Sequence, residues 1–134
     1  MYGHLKAAVE ELAAALEARG QKVSVFDLAR DDMAEAVEDA FRYDRLVLAS
    51  ITYQGEIFPF MSTFIHTLAE HAYQNRTVAL VEAGSWAPTA AKVMAKELEG
   101  MKDITLAQNK VTVLGSLNDA SRAQIEVLAD ELSK

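Results

Sequence analysis

Apolar residues recur along the chain at two alternating spacings, one typical of amphipathic helices and the other of buried strands. Leu5, Ala8, Leu12 and Leu16 lie at helical spacing, and Gly20 follows where a C′ glycine ends a helix. Short runs of apolar or alternating residues predict five strands further along the chain. These strands are expected over 22–27, 46–50, 77–81, 104–106 and 110–114.

The segments between these runs carry the signals that begin helices. Asp31 and Asp32 are plausible caps of the second helix, and Asn118 is a plausible cap of the last one. Pro59 and Pro88 each stand where a proline begins a helix. The sequence therefore predicts alternating helices and strands, and the pattern both opens and closes on a helix.

This alternation predicts an α/β fold in three layers, with a parallel sheet covered by helices on both faces. In a doubly wound fold each helix connects two strands, except possibly the last. A pattern that opens on a helix near residue 3 leads us to expect a strand directly ahead of Met1, missing from this sequence. The alternative is an α/β fold that begins with a helix, and the pattern leaves both open.

Composition narrows the class of function. The 134 residues include 20 acidic and 13 basic side chains, and the net charge of −7 disfavours nucleic-acid binding because phosphates are repelled. The lack of cysteine excludes a disulfide, a thiolate nucleophile and an iron–sulfur cluster. No apolar run reaches ~18 residues and no signal peptide is visible. We therefore expect a cytoplasmic single-domain protein with no membrane span and no nucleic-acid partner.

Candidate chemistry lies where the strands end, because ligands of open α/β sheets bind beyond the carboxyl ends of the strands. Residues 1–6 begin the first helix, whose N-terminus suits a phosphate, and Gly3 would allow close approach. Residues 50–59 offer hydroxyls, an amide and Tyr53, whose ring could stack on a flat ligand. Residues 82–88 place the single tryptophan, Trp86, in a loop. The plainer interpretations are a frayed terminus for the first segment and a polar loop for the second.

A phosphate-binding helix terminus beside aromatic side chains suggests a mononucleotide. The patterns GxxxxGK[ST] and GxGxxG are absent, which disfavours nucleoside triphosphates and the common dinucleotide site. Flavin mononucleotide (FMN) fits a non-basic phosphate loop with two aromatic walls. Glu56 and Glu82 would lie near such a flavin, where negative charge lowers its reduction potential. His66 and His71 do not share a helix face, so we interpret them as surface or packing residues.

Several stretches of the chain resemble the flavodoxin-like domain of flavo-diiron proteins, also called A-type flavoproteins. They are Met1–His4, Ser50–Tyr53 with Phe58–Pro59, the highly specific Gly84–Met94 (GSWAPTAAKVM), and Ser116–Ser121. The resemblance implies a flavodoxin-like doubly wound sheet with strand order 2-1-3-4-5, here without its first strand, and non-covalent FMN. It also implies that residues 1–134 form a single domain from the C-terminal part of a longer flavo-diiron protein.

The resemblance assigns cofactor contacts residue by residue, with no catalytic residue and no metal ligand. The phosphate loop would consist of Tyr2, Gly3, His4 and Leu5. The second loop, flanking the isoalloxazine, would consist of Thr52, Tyr53, Gln54 and Gly55. The third loop would consist of Gly84, Ser85, Trp86 and Ala87, with Trp86 against the ring system.

The resemblance also implies partners. In this family the domain passes electrons from a rubredoxin-type or reductase donor to a diiron centre that reduces oxygen or nitric oxide. That centre lies in a separate β-lactamase-like domain, so the chain would be an electron-transfer domain of an oxidoreductase and not catalytic alone. The head-to-tail dimers of the family imply a homo-oligomer.

Some positions depart from the family pattern. Leu5 stands where a threonine is usual, Ile51 replaces a frequent proline, and Gln54 with Gly55 replaces a frequent asparagine pair. A missing central strand would leave two unpaired strand edges, which is costly. We therefore expect either another segment in that position or a chain that has lost its cofactor site. The second hypothesis is an interaction or dimerisation module that keeps the fold without FMN.

Overall fold

The computed structural model describes residues 2–28, 30–43, 45–53, 56–57, 59–84, 89–99, 101–114 and 118–133. Within these ranges the helices are α1 (Tyr2–Ala18), α2 (Met33–Arg42), α3 (Pro59–Glu70), α4 (Ala90–Leu98) and α5 (Asp119–Leu132). The strands are β1 (Arg45–Tyr53), β2 (Glu56–Ile57), β3 (Arg76–Gly84), β4 (Ile104–Leu106) and β5 (Val111–Leu114).

The sheet is built around β3. β1 pairs with one edge of β3 in parallel, from Arg45↔Thr77 to Ile51↔Ala83. β4 and β5 also run parallel to β3 and pair with it through different residues. β2 is a short antiparallel return that pairs with the last two residues of β1. The prediction of a parallel α/β sheet is confirmed, and the order β1, β3, β4/β5 matches the last three places of the predicted order.

β4 and β5 pair with successive parts of β3, so they act as one interrupted strand. β4 pairs with Arg76–Val78, and β5 pairs with Val81–Gly84. Between them the backbone N–H groups of Gln108 and Asn109 donate to the Glu131 carboxylate at 2.7 and 3.0 Å. The interruption is therefore stabilised by a side chain of α5 as well as by β3, whose Val78 carbonyl accepts from Ala107 N at 2.8 Å.

Each face of the sheet carries its own apolar core, because side chains alternate along a strand. On one face, Val78 and Leu80 pack with residues of α3 and α4. On the other face, Ala79 and Val81 pack with residues of α1 and α5. These four β3 residues are all buried. Burial on both faces explains why the strand is a continuous apolar run and makes β3 the centre of the domain.

Helix termini follow the predicted signals closely. The Asp32 carboxylate caps α2 by accepting from Ala34 N at 2.8 Å. Asn118 caps α5 in a capping box with Ser121. Gly20 has φ of +84° just after α1, a conformation that favours glycine. α4 begins at Ala90, two residues later than predicted from Pro88, which lies outside the described residues.

The predicted strand over 22–27 is wrong. Its side chains do alternate, since Val23 packs against the α1/α5 core while Phe26 packs against the opposite one. No strand pairing of this segment occurs among the described residues. The described pairings of Leu46–Ala49 are likewise with β3 alone. A strand needs a hydrogen-bonded neighbour, so an alternating pattern without one remains an extended segment.

Arg76, the first residue of β3, joins the C-terminus of α2 to the sheet. Its guanidinium donates to the carbonyls of Tyr43 at 2.9 Å and Phe41 at 3.0 Å, and also to that of Gln74. Its Cζ lies 5.0 Å from the Tyr73 ring centroid, within cation–π range. One cation thus satisfies carbonyls that the end of a helix leaves free.

We expect Arg76→Met to lower the free energy of unfolding by about 2 kcal/mol, because hydrogen bonds from a charged donor are lost. Denaturant unfolding of both proteins measures the change. The control is Arg42→Met, since Arg42 is exposed and its ion pair among the described residues is with Asp39 at 3.2 Å. That variant should lie within about 0.5 kcal/mol of the parent. Equal losses in the two variants would contradict the role given to Arg76.

Amide exchange tests the one-sided pairing of β1. In a parallel strand, successive residues direct their N–H groups to opposite neighbours. We expect alternate amides within Leu46–Ala49 to exchange fast, while those of Val81–Ala83, paired on both sides, are all protected. Uniform protection along β1 in hydrogen-exchange NMR would show that its outer edge is paired.

Candidate functional site

Three strands end side by side at one edge of the sheet. Ile51 is in register with Ala83, and Gly84 is in register with Leu114. β1 therefore ends at Tyr53 beside the end of β3, and β5 ends on the other side of β3. Of the predicted contacts, Thr52, Tyr53 and Gly84 are the last residues of these strands. Gln54, Gly55, Ser85, Trp86 and Ala87 lie outside the described residues.

The direction of α1 follows from two ion pairs with α5. Arg122 Nε lies 3.2 Å from Glu11 Oε1, and Arg19 Nε lies 2.8 Å from Asp130 Oδ1. Both pairs join residues 111 apart in sequence, so the two helices run parallel. Because α5 follows β5 directly, its N-terminus lies at the carboxyl edge of the sheet, and so does that of α1.

The first turn of α1 extends beyond the start of α5. The offset places Asp119, the first residue of α5, level with Ala8 of α1. The part of α1 ahead of Ala8 adds roughly 9 Å of helix at that edge, at 1.5 Å per residue. The structure thus brings the predicted phosphate segment to the same edge as the ends of β1 and β3.

The segment that the resemblance assigns to a phosphate loop forms the start of the first helix, as the apolar pattern predicted. Tyr2, Gly3, His4 and Leu5 form the first turn of α1. The Leu5 side chain is 7% exposed and belongs to the α1/α5 core, so only its backbone can contribute to a binding site. A Cβ on Gly3 would meet no heavy atom of the described residues within 4 Å, and Gly3 is exposed.

The electrostatics of this turn suit an anion. The first N–H groups of a helix have no partner within the helix and carry the positive end of its dipole. No acidic residue lies in the first turn of α1. The turn therefore offers backbone donors and open space beside Gly3, which fits a phosphate group.

The N-terminus of α4 is already neutralised. Glu82 is 2% exposed, and its Oε1 accepts from Ala91 N at 3.0 Å. Its Oε2 accepts from Thr112 Oγ1 at 2.8 Å and lies 3.4 Å from Lys110 Nζ. A carboxylate occupies the place that an anionic ligand would take, so of these two helix termini the α1 turn is the one that suits a phosphate.

Glu82 belongs to a polar row that the sequence analysis missed. Ser50, Glu82 and Thr112 are in register on three adjacent strands, and the first two are buried. The sequence signal for this row is that each of its polar residues lies near the end of an otherwise apolar strand. The proposed closeness of Glu82 to a flavin is untested, but its hydrogen bonds were not foreseen.

The remaining candidate residues lie away from this edge of the sheet. His66 Nε2 lies 3.6 Å from Glu97 Oε1 on the outer side of α3 and α4, and His66 is exposed. Among the described residues, no group of three or more His, Cys, Asp or Glu side chains is placed to hold a metal ion. No helix in the described part of the chain has the length and apolar character needed to cross a membrane.

Comparison with known proteins by sequence finds no match to a family model or to a curated protein. Comparison by structure finds several. Rubredoxin oxygen:oxidoreductase from the anaerobe Desulfovibrio gigas superimposes with a TM-score of 0.91 at 17% identity, over 99% of this chain and 33% of that one. A flavodoxin from the domain Archaea superimposes with a TM-score of 0.85 at 17% identity, over 99% and 90% of the two chains.

A third similar structure is a single-site variant of the flavo di-iron protein from Thermotoga maritima. Its TM-score is 0.83 at 22% identity, over 98% of this chain and 33% of that one. The chain therefore spans about a third of the length of these two larger proteins and most of the flavodoxin. Sequence identities this low show a shared fold alone. The chain has a flavodoxin-like fold.

Proposed function

We propose that this chain is an FMN-binding electron-transfer domain. The observation that carries the proposal is the convergence of the first turn of α1 with the ends of β1 and β3 at one sheet edge. In open α/β sheets that edge is where ligands bind. Similarity to a flavodoxin and to flavo-diiron proteins adds support from fold alone.

In this proposal the first turn of α1 binds the phosphate. Backbone N–H groups of Tyr2–Leu5 would donate to its oxygens, and Gly3 would allow close approach because no side chain stands there. Neutral donors suit a chain with seven excess negative charges and no basic clamp at this turn beyond His4 and Lys6. The dipole of α1 supplies the attraction.

The ring would lie across the ends of β1 and β3, between the two loops that follow them. Tyr53 and Trp86 are the proposed walls, because aromatic faces stack on a flat heterocycle. The other proposed contacts are Thr52, Gln54, Gly55, Gly84, Ser85 and Ala87. FMN supplies the reversible uptake of electrons, and the protein orients the ring and excludes water from it.

The proposal extends to partners. The chain spans about a third of the flavo-diiron proteins that it resembles, which supports a diiron β-lactamase-like domain in the same full-length protein. A rubredoxin-type or reductase donor, a homo-oligomeric assembly and a cytoplasmic location complete the proposal. In that arrangement the domain relays electrons, and the reduction of oxygen or nitric oxide takes place elsewhere.

We also propose that a further strand pairs with the outer edge of β1 when the site is complete. Two observations support it: the described pairings of Leu46–Ala49 are with β3 alone, and the segment 22–27, whose sequence alternates, pairs with no described strand. Four of the β1 side chains from Leu46 to Ile51 are only half-buried, whereas those of Val78–Val81 are all buried. A strand between 22–27 and β1 would give both segments a hydrogen-bonded neighbour.

The second candidate function is an interaction module without FMN. The burial of Leu5 in the α1/α5 core favours it, because a hydroxyl is usual in that position in the family and would serve the phosphate. The open turn at Gly3 favours FMN binding instead. Direct binding measurements separate the two.

Gly3→Asp tests the phosphate site by charge alone. An aspartate in the first turn of a helix stabilises the helix and repels a phosphate. We expect the Kd for FMN to rise about tenfold or more relative to Gly3→Asn, which has nearly the same shape without the charge. Fluorescence titration of each variant with FMN gives the two Kd values.

Riboflavin is the control ligand, because it has the same ring and no phosphate. Its affinity should be equal in Gly3→Asp and Gly3→Asn. Equal FMN affinities in the two variants would place the phosphate elsewhere, and an equal loss for riboflavin would indicate a general disturbance of the site.

A further inference from the structure

We propose that Glu82 is a positioning residue at this edge, where it fixes the start of α4 relative to the end of β3, the two elements that flank the third loop in sequence. The carboxylate lies on β3 two residues before the strand ends at Gly84. It accepts a hydrogen bond from Ala91 N at 3.0 Å, at the start of α4. The residues of the loop lie between these two points, so a single side chain connects the loop's two flanks.

The bond to Ala91 takes the place of a conventional helix cap. Thr89 occupies the N-cap position of α4, and its side chain makes no capping hydrogen bond. An N–H group in the first turn needs an acceptor when it is buried, and Ala90 and Ala91 are both buried. Glu82 supplies that acceptor from a neighbouring strand, which fixes the start of α4 to the sheet.

The other carboxylate oxygen ties the same side chain to β5. Thr112 Oγ1 donates to Oε2 at 2.8 Å, and Lys110 Nζ lies 3.4 Å from it. Glu82 is 2% exposed, and a buried carboxylate is tolerated only with such partners. Because both oxygens accept hydrogen bonds, the side chain is held in one orientation. The start of α4, which is bonded to this side chain, is therefore held in place as well.

These contacts also change the effect expected of the Glu82 charge on the reduction potential of a bound flavin. The negative charge is balanced by the positive end of α4, by a hydroxyl and by the Lys110 ammonium. Its field outside the cluster is therefore small. We infer that Glu82 acts on a ligand through the placement of the loop, and only weakly through its charge on the reduction potential.

Glu131 provides a matched control farther from the carboxyl edge, beside the middle of β3. Its carboxylate accepts from Gln108 N at 2.7 Å and from Asn109 N at 3.0 Å, just ahead of β5. It too fixes a loop by binding backbone N–H groups. Because that loop precedes β5 and lies level with Ala79 and Leu80, loosening it should not alter the last residues of β3 and β5.

The experiment compares Glu82→Gln and Glu131→Gln in the full chain. Glutamine keeps the shape of glutamate but removes the charge, so Ala91 N loses its charged acceptor and the ion pair with Lys110 is lost. In Glu82→Gln we expect Ala91 to exchange its amide proton about tenfold faster without flavin, and the Kd for FMN to rise about tenfold. The emission maximum of Trp86 should also shift, whereas Glu131→Gln should leave all three unchanged.

Thr112→Val is the second variant, since it leaves the charge and the bond to Ala91 in place. It should move Trp86 emission and FMN affinity in the same direction by a smaller factor. It keeps the proposal testable if Glu82→Gln does not fold. No shift in Trp86 emission and no change in affinity in Thr112→Val would then overturn it.

The FMN part of this inference rests on the proposed function, and the readouts separate the two. If the parent chain binds no FMN, the proposed cofactor is wrong, while Ala91 exchange and Trp86 emission still test Glu82. The positioning role is overturned if Glu82→Gln leaves Ala91 exchange unchanged, or if Glu131→Gln has equal effects. It is also overturned if Ala91 exchange accelerates while FMN affinity and Trp86 emission stay constant.

Discussion

The parallel pairing of β1 with β3 is the interaction on which the rest of the domain depends. It runs from Arg45↔Thr77 to Ile51↔Ala83 and sets both strands to end at the same level. β3 is buried on both faces, so the helices on either side are placed relative to one strand. The carboxyl edge is therefore a consequence of register, and any ligand there would lie against the most buried part of the chain.

Charge at that edge is distributed unevenly between two helix termini. The start of α4 has a carboxylate from Glu82 against it, and the start of α1 has no acidic residue in its first turn. Both termini carry the positive end of a dipole, but only that of α1 remains uncompensated by these contacts. This asymmetry is the reason that we propose the α1 turn, and not the start of α4, as the phosphate site.

Much of the fold could be predicted from sequence because its signals are local. Asp32 and Asn118 are helix caps that act within a few residues, and the apolar run around Val78 reflects burial of a single strand. The segment 22–27 misled the prediction because a strand depends on a partner, and alternation of side chains alone does not provide one. The apolar spacing also predicted the first helix, and Leu5 lies on its buried face.

The candidate site could be predicted only in part. The three segments that meet at one edge were identified from their place after apolar runs. The hydrogen bonds of Glu82 could not be predicted, because its partners Ala91 and Thr112 are brought to it by the packing of α4 and β5. Contacts across elements leave no periodic pattern in the sequence. A charged residue inside a buried strand was the only local sign of them.

The most direct measurement is a titration of the purified chain with FMN, followed by Trp86 fluorescence and by visible absorption before and after desalting. If the three segments form the proposed site, quenching of Trp86 will saturate at one FMN per chain and flavin absorption will remain after desalting. A chain that leaves Trp86 unquenched and releases all flavin on desalting would contradict FMN binding and favour the interaction module.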